Sequence, residues 1–289
     1  MNTTRNETLQ KQLTYSALEQ YDKKLVDHNV AQGSFDGLIH YHQGILTDVA
    51  LGAVKENSEV DRTIHKAESE LSLRIGETIR RYVPNAKNVL DVGCGKMGTA
   101  VQCLTSLPEA VVTGIDISAT SIAWAKNLPA IKKNADNFNA IRGDYNKTDF
   151  SDQSFQAIYA MESLQFCASL PALFKKWRKM LSDRGIVVIS QMTANELSSF
   201  KDIALTTSRV NTLHQSIIHT SLELTEALKA SQFEVMCIRD FTHDVINYWR
   251  LRQRWGFKTF VDPSILEGYC SGTLNYFMMV AKPREPVLL

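Results

Sequence analysis

Four acidic residues stand where apolar runs end, and their spacing is the first sign of chemistry in this chain. Asp91 lies in the stretch VLDVGCGKMG, at the close of an apolar run and just before a glycine turn. Asp116 ends the run VVTGID, Asp144 follows Gly143 at the end of a third run, and Glu162 follows AIYAM at the end of a fourth. A glycine turn after a strand commonly meets a nucleotide, and the neighbouring side chains decide which one. A carboxylate at Asp91 would repel a pyrophosphate, so a nicotinamide cofactor is disfavoured. S-adenosylmethionine has no phosphate and carries an ammonium and a sulfonium, both better placed beside Asp91, with Gly93 and Gly95 letting the backbone come close. At the second strand end Asp116 can accept from both ribose hydroxyls, and Ile117 can pack on the adenine. At the third, Asp144 can bond the adenine amino group and Tyr145 can wall the ring. Each has a plainer reading alone: a tight turn at the glycines, a helix N-cap at Asp116 before Ser118, a solvated acid at Asp144. In register together, three strand ends converge on one nucleoside.

The elements that must position these residues alternate. DRTIHKAESELSLRIGETIRRYV, from Asp61, places Ile64, Leu71, Ile75 and Ile79 at helical spacing, with Asp61 as N-cap, until Pro84 breaks the pattern. Strands are expected at 88–92, 110–116, 138–144, 155–162, 185–191, 233–241 and 274–282. Helices are expected near 98–107, 118–128, 169–181 and 222–231. This alternation predicts an α/β architecture with a mostly parallel sheet covered on both faces. Segments 1–60, 192–220 and 242–272 fall outside it. The first reads as an N-terminal helical lid, and the other two as insertions into a cofactor-binding domain over 61–289. Such additions tend to build the substrate pocket over the carboxyl ends of the strands.

The 289 residues are 44% hydrophobic, enough for a sizeable core, and 32 basic against 31 acidic residues leave a net charge of +1. That balance offers nothing to nucleic acid or to a membrane surface. The N-terminus lacks the apolar core of a signal peptide and no window is long enough for a membrane span, so a cytoplasmic location is expected. Cys94, Cys103, Cys167, Cys237 and Cys270 form no CxxC pair, and no metal cluster of the protein's own is expected.

Over about residues 60 to 285 the chain resembles the class I S-adenosylmethionine-dependent methyltransferases, on the motifs VLDVGCGKMG, VTGIDIS and AIRGDY. That resemblance implies a Rossmann-like sheet of seven strands with one antiparallel strand near its edge. FDGLIHYHQGI, from Phe35 to Ile45, and YAMESLQF, 159 to 166, are similar to segments of the bacterial prenyl-diphosphate C-methyltransferases that act on geranyl or farnesyl diphosphate. This second resemblance implies an allylic isoprenoid diphosphate as substrate, held with Mg²⁺ through its phosphates, whose alkene takes the methyl group and becomes a carbocation, with cyclisation an open extension. It implies catalytic positions at Glu162, Tyr41 and His42.

Such a pocket needs a base, aromatic faces and cations for the diphosphate. Glu162 is the candidate base. Tyr21, Phe35, Tyr41, Phe166, Tyr248, Trp249 and Trp255 are candidate aromatics, and His40 joins the substrate wall. NYWRLRQRW, 247 to 255, offers Arg250, Arg252 and Arg254, with Arg250 and Arg254 the expected clamp and His214, His219 and His243 elsewhere in the insertions. The plainer readings are a surface ion pair for Glu162 and a solvated helix face for the arginines. The competing functions are methylation of a sterol, quinone or polyketide acceptor, which needs no diphosphate clamp, and a non-catalytic cofactor-binding protein. A homo-oligomer stays open.

Overall fold

A computed structural model describes residues 35–167, 169–214, 216–256 and 262–285. In chain order the strands are β1 (Asn88–Val92), β2 (Val111–Asp116), β3 (Phe138–Arg142), β4 (Phe155–Met161), β5 (Leu181–Ala194), β6 (Phe233–Asp240) and β7 (Leu274–Pro283). The helices are α1 (Asp48–Ala53), α2 (Val60–Tyr82), α3 (Gly98–Ser106), α4 (Ala119–Asn127), α5 (Pro129–Lys133), α6 (Leu170–Met180), α7 (Phe200–His214), α8 (Ser221–Ala230), α9 (Thr242–Trp255) and α10 (Asp262–Cys270).

The seven strands form one sheet in the order β3-β2-β1-β4-β5-β7-β6. β1 to β5 are parallel, and β7 runs antiparallel to both of its neighbours, β5 and β6. The chain reverses its strand order at β1, so the carboxyl ends of β1 and β4 flank the crevice where ligands of open α/β sheets bind. The fold class expected from the sequence is the one found.

Alternate residues of the central strands face opposite sides. Val89, Ala157, Tyr159 and Val188 pack with α2, α3 and α9, whereas Leu90, Ile158, Ala160 and Val187 pack with α6 and α8. Both faces are covered, which is why the strands are continuously apolar. Ile64, Leu71, Ile75 and Ile79 of α2 are all buried, as their spacing requires. Asp61 is not the cap of that helix. A 3₁₀ turn, Asn57–Glu59, precedes it, and Glu56 with Glu59 forms the capping box that leads the chain in, leaving Asp61 inside the first turn. Two of the segments that broke the alternation are largely helical: α7 lies in 192–220, and α9 and α10 fill most of 242–272, whereas of the expected N-terminal helical lid residues 1–34 lie outside the described residues and 35–47 form no helix. No helix among the described residues is long and apolar enough to cross a membrane.

Candidate active site

The turn after β1 is built mainly by backbone. Gly93 and Cys94 donate their N–H groups to the carbonyl of Ile115 at 2.9 and 3.1 Å, which ties the turn to the end of β2. Gly93 has a φ of +74°, and a Cβ there would collide with the side chain of Ser163, so only glycine fits. Asp116 accepts from the Gly95 N–H with one oxygen, at 2.9 Å, and from the Ser118 N–H with the other, at 2.8 Å. It thus holds the glycine loop in place. Ile117 beside it is half-buried.

Asp91 is 2% exposed, and its Oδ2 has no hydrogen-bond partner among the described residues. Burial pushes its carboxyl up to about 7, the Tyr159 hydroxyl beside it pulls the other way, and the nearby Asp116 adds to the rise. An orphaned carboxylate oxygen under a glycine turn is satisfied by a cation and repels a phosphate. Gly93, Gly95 and Gly98 by themselves also match the dinucleotide spacing, so the choice rests on Asp91. The ammonium-bearing end of S-adenosylmethionine fits this site.

At the third strand end, Asp144 is bent into its own turn. It accepts from the backbone N–H and the side-chain amide of Asn146, both at 3.0 Å, and pairs with Lys147 at 2.8 Å. Tyr145 donates its hydroxyl to the Ser163 carbonyl at 2.7 Å, which braces the β3 end against the β4 end.

Glu162 leaves β4 with a φ of +48°, a left-handed conformation that is uncommon for a residue with a Cβ and clusters at functional sites. Its backbone N–H is anchored on the Ser190 carbonyl of β5 at 2.9 Å. Its Oε1 accepts from the Gln43 N–H at 2.8 Å and from the Tyr276 hydroxyl at 2.9 Å, so the N-terminal segment and β7 both close on it. Burial raises its carboxyl to about 7, while the bonds from Gln43 and Tyr276 pull the other way. A carboxylate poised there can accept a proton near neutral pH. The surface ion pair, its plainer reading, is not what forms.

Residues 35–46 form a strap across α2 and the start of α3. Gly44 lets it lie flat, since a Cβ there would come within 2.8 Å of the Ala67 side chain and the Glu68 amide. His42 donates through Nδ1 to the Gln43 carbonyl at 2.7 Å and accepts through Nε2 from the Ser72 hydroxyl at 2.8 Å. His40 meets Ser69 and Ser72, both at 3.2 Å, and stacks between His42 and His65. Burial holds His42 down to about 4 and lowers His40 further below its ordinary range. Both imidazoles are therefore neutral seams between strap and helix; His42 reaches Glu162 only through the Gln43 peptide. Phe35 lies at the far end of the strap, against His65 and under Arg62. Tyr41 faces Lys96 instead, with the ammonium 5.4 Å from its ring centre.

The arginines of α9 split by face. Arg252 is buried, 3.8 Å from Glu68 and 3.5 Å from Asp262, and donates to the Tyr248 hydroxyl at 3.0 Å. Tyr248 in turn donates to Glu68 at 2.7 Å. Arg250 and Arg254 are exposed, and Arg254 bonds the Val54 carbonyl at 3.4 Å. The clamp expected from Arg250 and Arg254 is not brought to Glu162, because residues four apart share the helix face opposite Tyr248 and Trp249. Phe166 is exposed at the end of the 3₁₀ turn after Glu162. His219 pairs with Glu223, and His243 meets Asp48 at the surface, so neither joins the pocket. Tyr21 lies outside the described residues, as do the side chains of His214 and Trp255.

Sequence reasoning missed Gln43, Glu68, Tyr269 and Tyr276, which surround Glu162. Glu68 carried a signal: it sits in the apolar stripe of α2 between Ile64 and Leu71, where a carboxylate is out of place. Burial raises it to about 7, and the charge of Glu162 adds to the rise. Tyr276 sits in an apolar strand and Gln43 in the strap motif, with nothing local to single them out. No group of three or more His, Cys, Asp or Glu side chains that could hold a metal ion occurs among the described residues.

Residues 89–185 match the methyltransferase domain family. Geranyl diphosphate 2-C-methyltransferase of Saccharopolyspora erythraea is 23% identical over 270 residues, covering 92% of this chain and 93% of that protein. A sterol 24-C-methyltransferase of Gibberella zeae is 29% identical over 143 residues, covering 50% of this chain and 36% of that one. Among solved structures, geranyl diphosphate C-methyltransferase from Streptomyces coelicolor, in complex with Mg²⁺, geranyl diphosphate and S-adenosyl-L-homocysteine, superposes with a TM-score of 0.78 at 22% identity, over 92% of this chain and 97% of that one.

Proposed function

We propose that this chain, an S-adenosylmethionine-dependent methyltransferase of the class I fold, methylates a carbon of an allylic prenyl diphosphate such as geranyl or farnesyl diphosphate. Glu162 carries the reading: a carboxylate near neutrality at the carboxyl end of β4, enclosed by the strap and β7. The likeness to geranyl diphosphate methyltransferases extends over almost the whole chain, whereas the sterol relative shares only half of it. A shared cofactor core alone would give the second pattern, so the first favours a shared acceptor class.

When bound, the cofactor supplies an electrophilic methyl group. Asp91 takes its cationic end, and Asp116, with Ile117 alongside, takes the ribose. Asp144 and Tyr145 bound the adenine side through the turn they brace. Glu162 faces the acceptor. Its charge stabilises positive charge developing on the alkene carbons, and its oxygen then takes the proton whose loss restores a double bond. The rings of Tyr41, Tyr248, Trp249, Tyr269 and Tyr276 supply aromatic faces for a cation, with Tyr269 and Tyr276 beside Glu162. If proton removal is slow, a second alkene of the chain captures the cation, and methylation passes into cyclisation. Since the described residues hold no ligand set for a metal, Mg²⁺ is assigned to the substrate's own diphosphate and no step is routed through it. Prenyl diphosphates are charged and do not cross bilayers unaided, so the reading carries a cytoplasmic location with it.

The test is incubation with S-adenosylmethionine, Mg²⁺ and a panel of prenyl diphosphates, sterols and quinones, with products identified by mass after dephosphorylation. A product one methylene heavier from a prenyl diphosphate, dependent on Mg²⁺, supports the reading. Methylation of a sterol or quinone alone overturns it.

A further inference from the structure

Lys96 stands in the glycine turn itself and is only 2% exposed. Lysine is almost never buried to this extent without an anionic partner. Yet the ammonium has no hydrogen bond or ion pair among the described residues. It lies 3.9 Å above the ring centre of Trp124 on α4 and 5.4 Å from that of Tyr41 on the strap. Burial alone lowers its pKa, to about 8, and no carboxylate is near enough to counter the shift. Aromatic faces offset part of the lost hydration, but they satisfy none of the three N–H donors directionally. Asp91, five residues earlier near the end of β1, has one carboxylate oxygen with no hydrogen-bond partner among the described residues. Lys96 therefore presents an ammonium that rests on two aromatic rings and meets no anion among the described residues.

Resting on the methyltransferase reading above, we infer that Lys96 is an anion-binding residue of the crevice, its ammonium receiving an anionic oxygen group of a bound ligand. Two sources share that chemistry: the amino-acid carboxylate of the cofactor and a phosphoryl group of the acceptor. In either case the rings of Trp124 and Tyr41 hold the ammonium in place before the ligand arrives, which limits the ordering cost of binding.

The experiment is titration calorimetry of the full chain, of Lys96→Met and of Lys96→Arg, with three probes. S-adenosylhomocysteine carries the amino-acid end, 5′-methylthioadenosine lacks it, and inorganic diphosphate with Mg²⁺ stands for the acceptor head. Loss of about tenfold or more in S-adenosylhomocysteine affinity in Lys96→Met, with methylthioadenosine unchanged and the arginine variant largely restored, supports the inference and names the carboxylate. The same loss for diphosphate, with both nucleosides unchanged, supports it and names the phosphoryl group. Parental affinity of Lys96→Met for all three probes overturns it and leaves the lysine as a strut between two rings. Equal loss for both nucleosides in Lys96→Met overturns it as well, since the turn has then moved. If the parent chain binds neither nucleoside, the methyltransferase reading fails, separately from the role of Lys96.

Discussion

The Asp116 hydrogen bonds that hold the glycine turn span short stretches of chain, 21 residues to Gly95 and two to Ser118, and the bond from the Ser163 hydroxyl to the Val92 carbonyl spans 71. Around Glu162, which ends the neighbouring strand, they join distant parts: 119 residues to Gln43, 114 to Tyr276, 206 from Gln43 to Trp249 and 180 from Glu68 to Tyr248. The cofactor end is made by the neighbouring parallel strands β1 to β4, with Ser163 after β4 bonded to Val92 and Tyr145. The acceptor end exists only when the strap, α2, α9 and β7 are all in place. Closing long loops is entropically costly, and regions held by few long-range contacts open at lower free energy than the core. Damage to the acceptor end should therefore leave cofactor binding intact, whereas damage to the glycine turn should impair both.

The largest effect should come from Arg252, which stands between two buried acids. Arg252→Met leaves Glu68 and Asp262 without their cation, and removing one partner from a buried ion network typically costs about 3–5 kcal/mol. Urea unfolding should register that loss, while Arg250→Met, at an exposed site on the same helix, should stay within about 0.5 kcal/mol. S-adenosylhomocysteine affinity of the folded Arg252→Met protein should match the parent. Equal destabilisation by both variants would mean that the helix face has been misassigned.

Next is Glu162→Gln, which keeps the shape and removes charge and basicity. Turnover on a prenyl diphosphate should fall by about 10²-fold or more, or the product distribution should shift, with cofactor affinity unchanged. Near-parental turnover giving the same product would place the base elsewhere. On the other side, Asp116→Ala should weaken S-adenosylhomocysteine binding by about 2 kcal/mol, because a charged acceptor is lost and the Gly95 amide is released. Calorimetry on the folded variant checks this, and unchanged affinity would separate Asp116 from the ribose.

The same contrast decides how much was legible in the sequence. The strand ends, the glycine turn and Asp116 were readable because each lies within a short apolar or glycine-rich pattern whose period fixes its direction. Glu162 was readable as the residue that leaves β4, but its partners were not, because Gln43 and Tyr276 reach it through tertiary packing. The arginines of α9 show the opposite error: a run of charges suggested one clamp, while the helical period sends Arg252 inward and Arg250 and Arg254 outward. The histidines of the strap stood out in the sequence for their chemistry, and the structure places them buried against the serines of α2, which nothing local foretold. Asp144 pointed to an adenine from its position alone, and its own turn claimed the side chain through Asn146 and Lys147.

The smallest expected effect tests the acceptor end most finely. Tyr276 donates to Glu162 Oε1 at 2.9 Å, and a hydrogen bond to the charged form stabilises it, so this hydroxyl draws the Glu162 pKa down against the effect of burial. Tyr276→Phe removes that donor, and with it the acceptor of the Ser190 hydroxyl at 3.2 Å, which does not touch Glu162. The Glu162 pKa should then rise above about 7. A base works only when ionised, so the fraction of active enzyme at a given acidic pH falls, and the acidic limb of kcat/KM moves to higher pH. A hydrogen bond to a charged group is worth about 1.5 kcal/mol at the lower end, so the limb should shift by about one pH unit and the rate near pH 6 should drop by up to about tenfold. Well above the shifted pKa both enzymes are ionised and the two rates should converge. A deficit that is the same at every pH would mean that Tyr276 acts on the acceptor and not through Glu162, and a limb that moves to lower pH would contradict the assignment of Glu162 as the base.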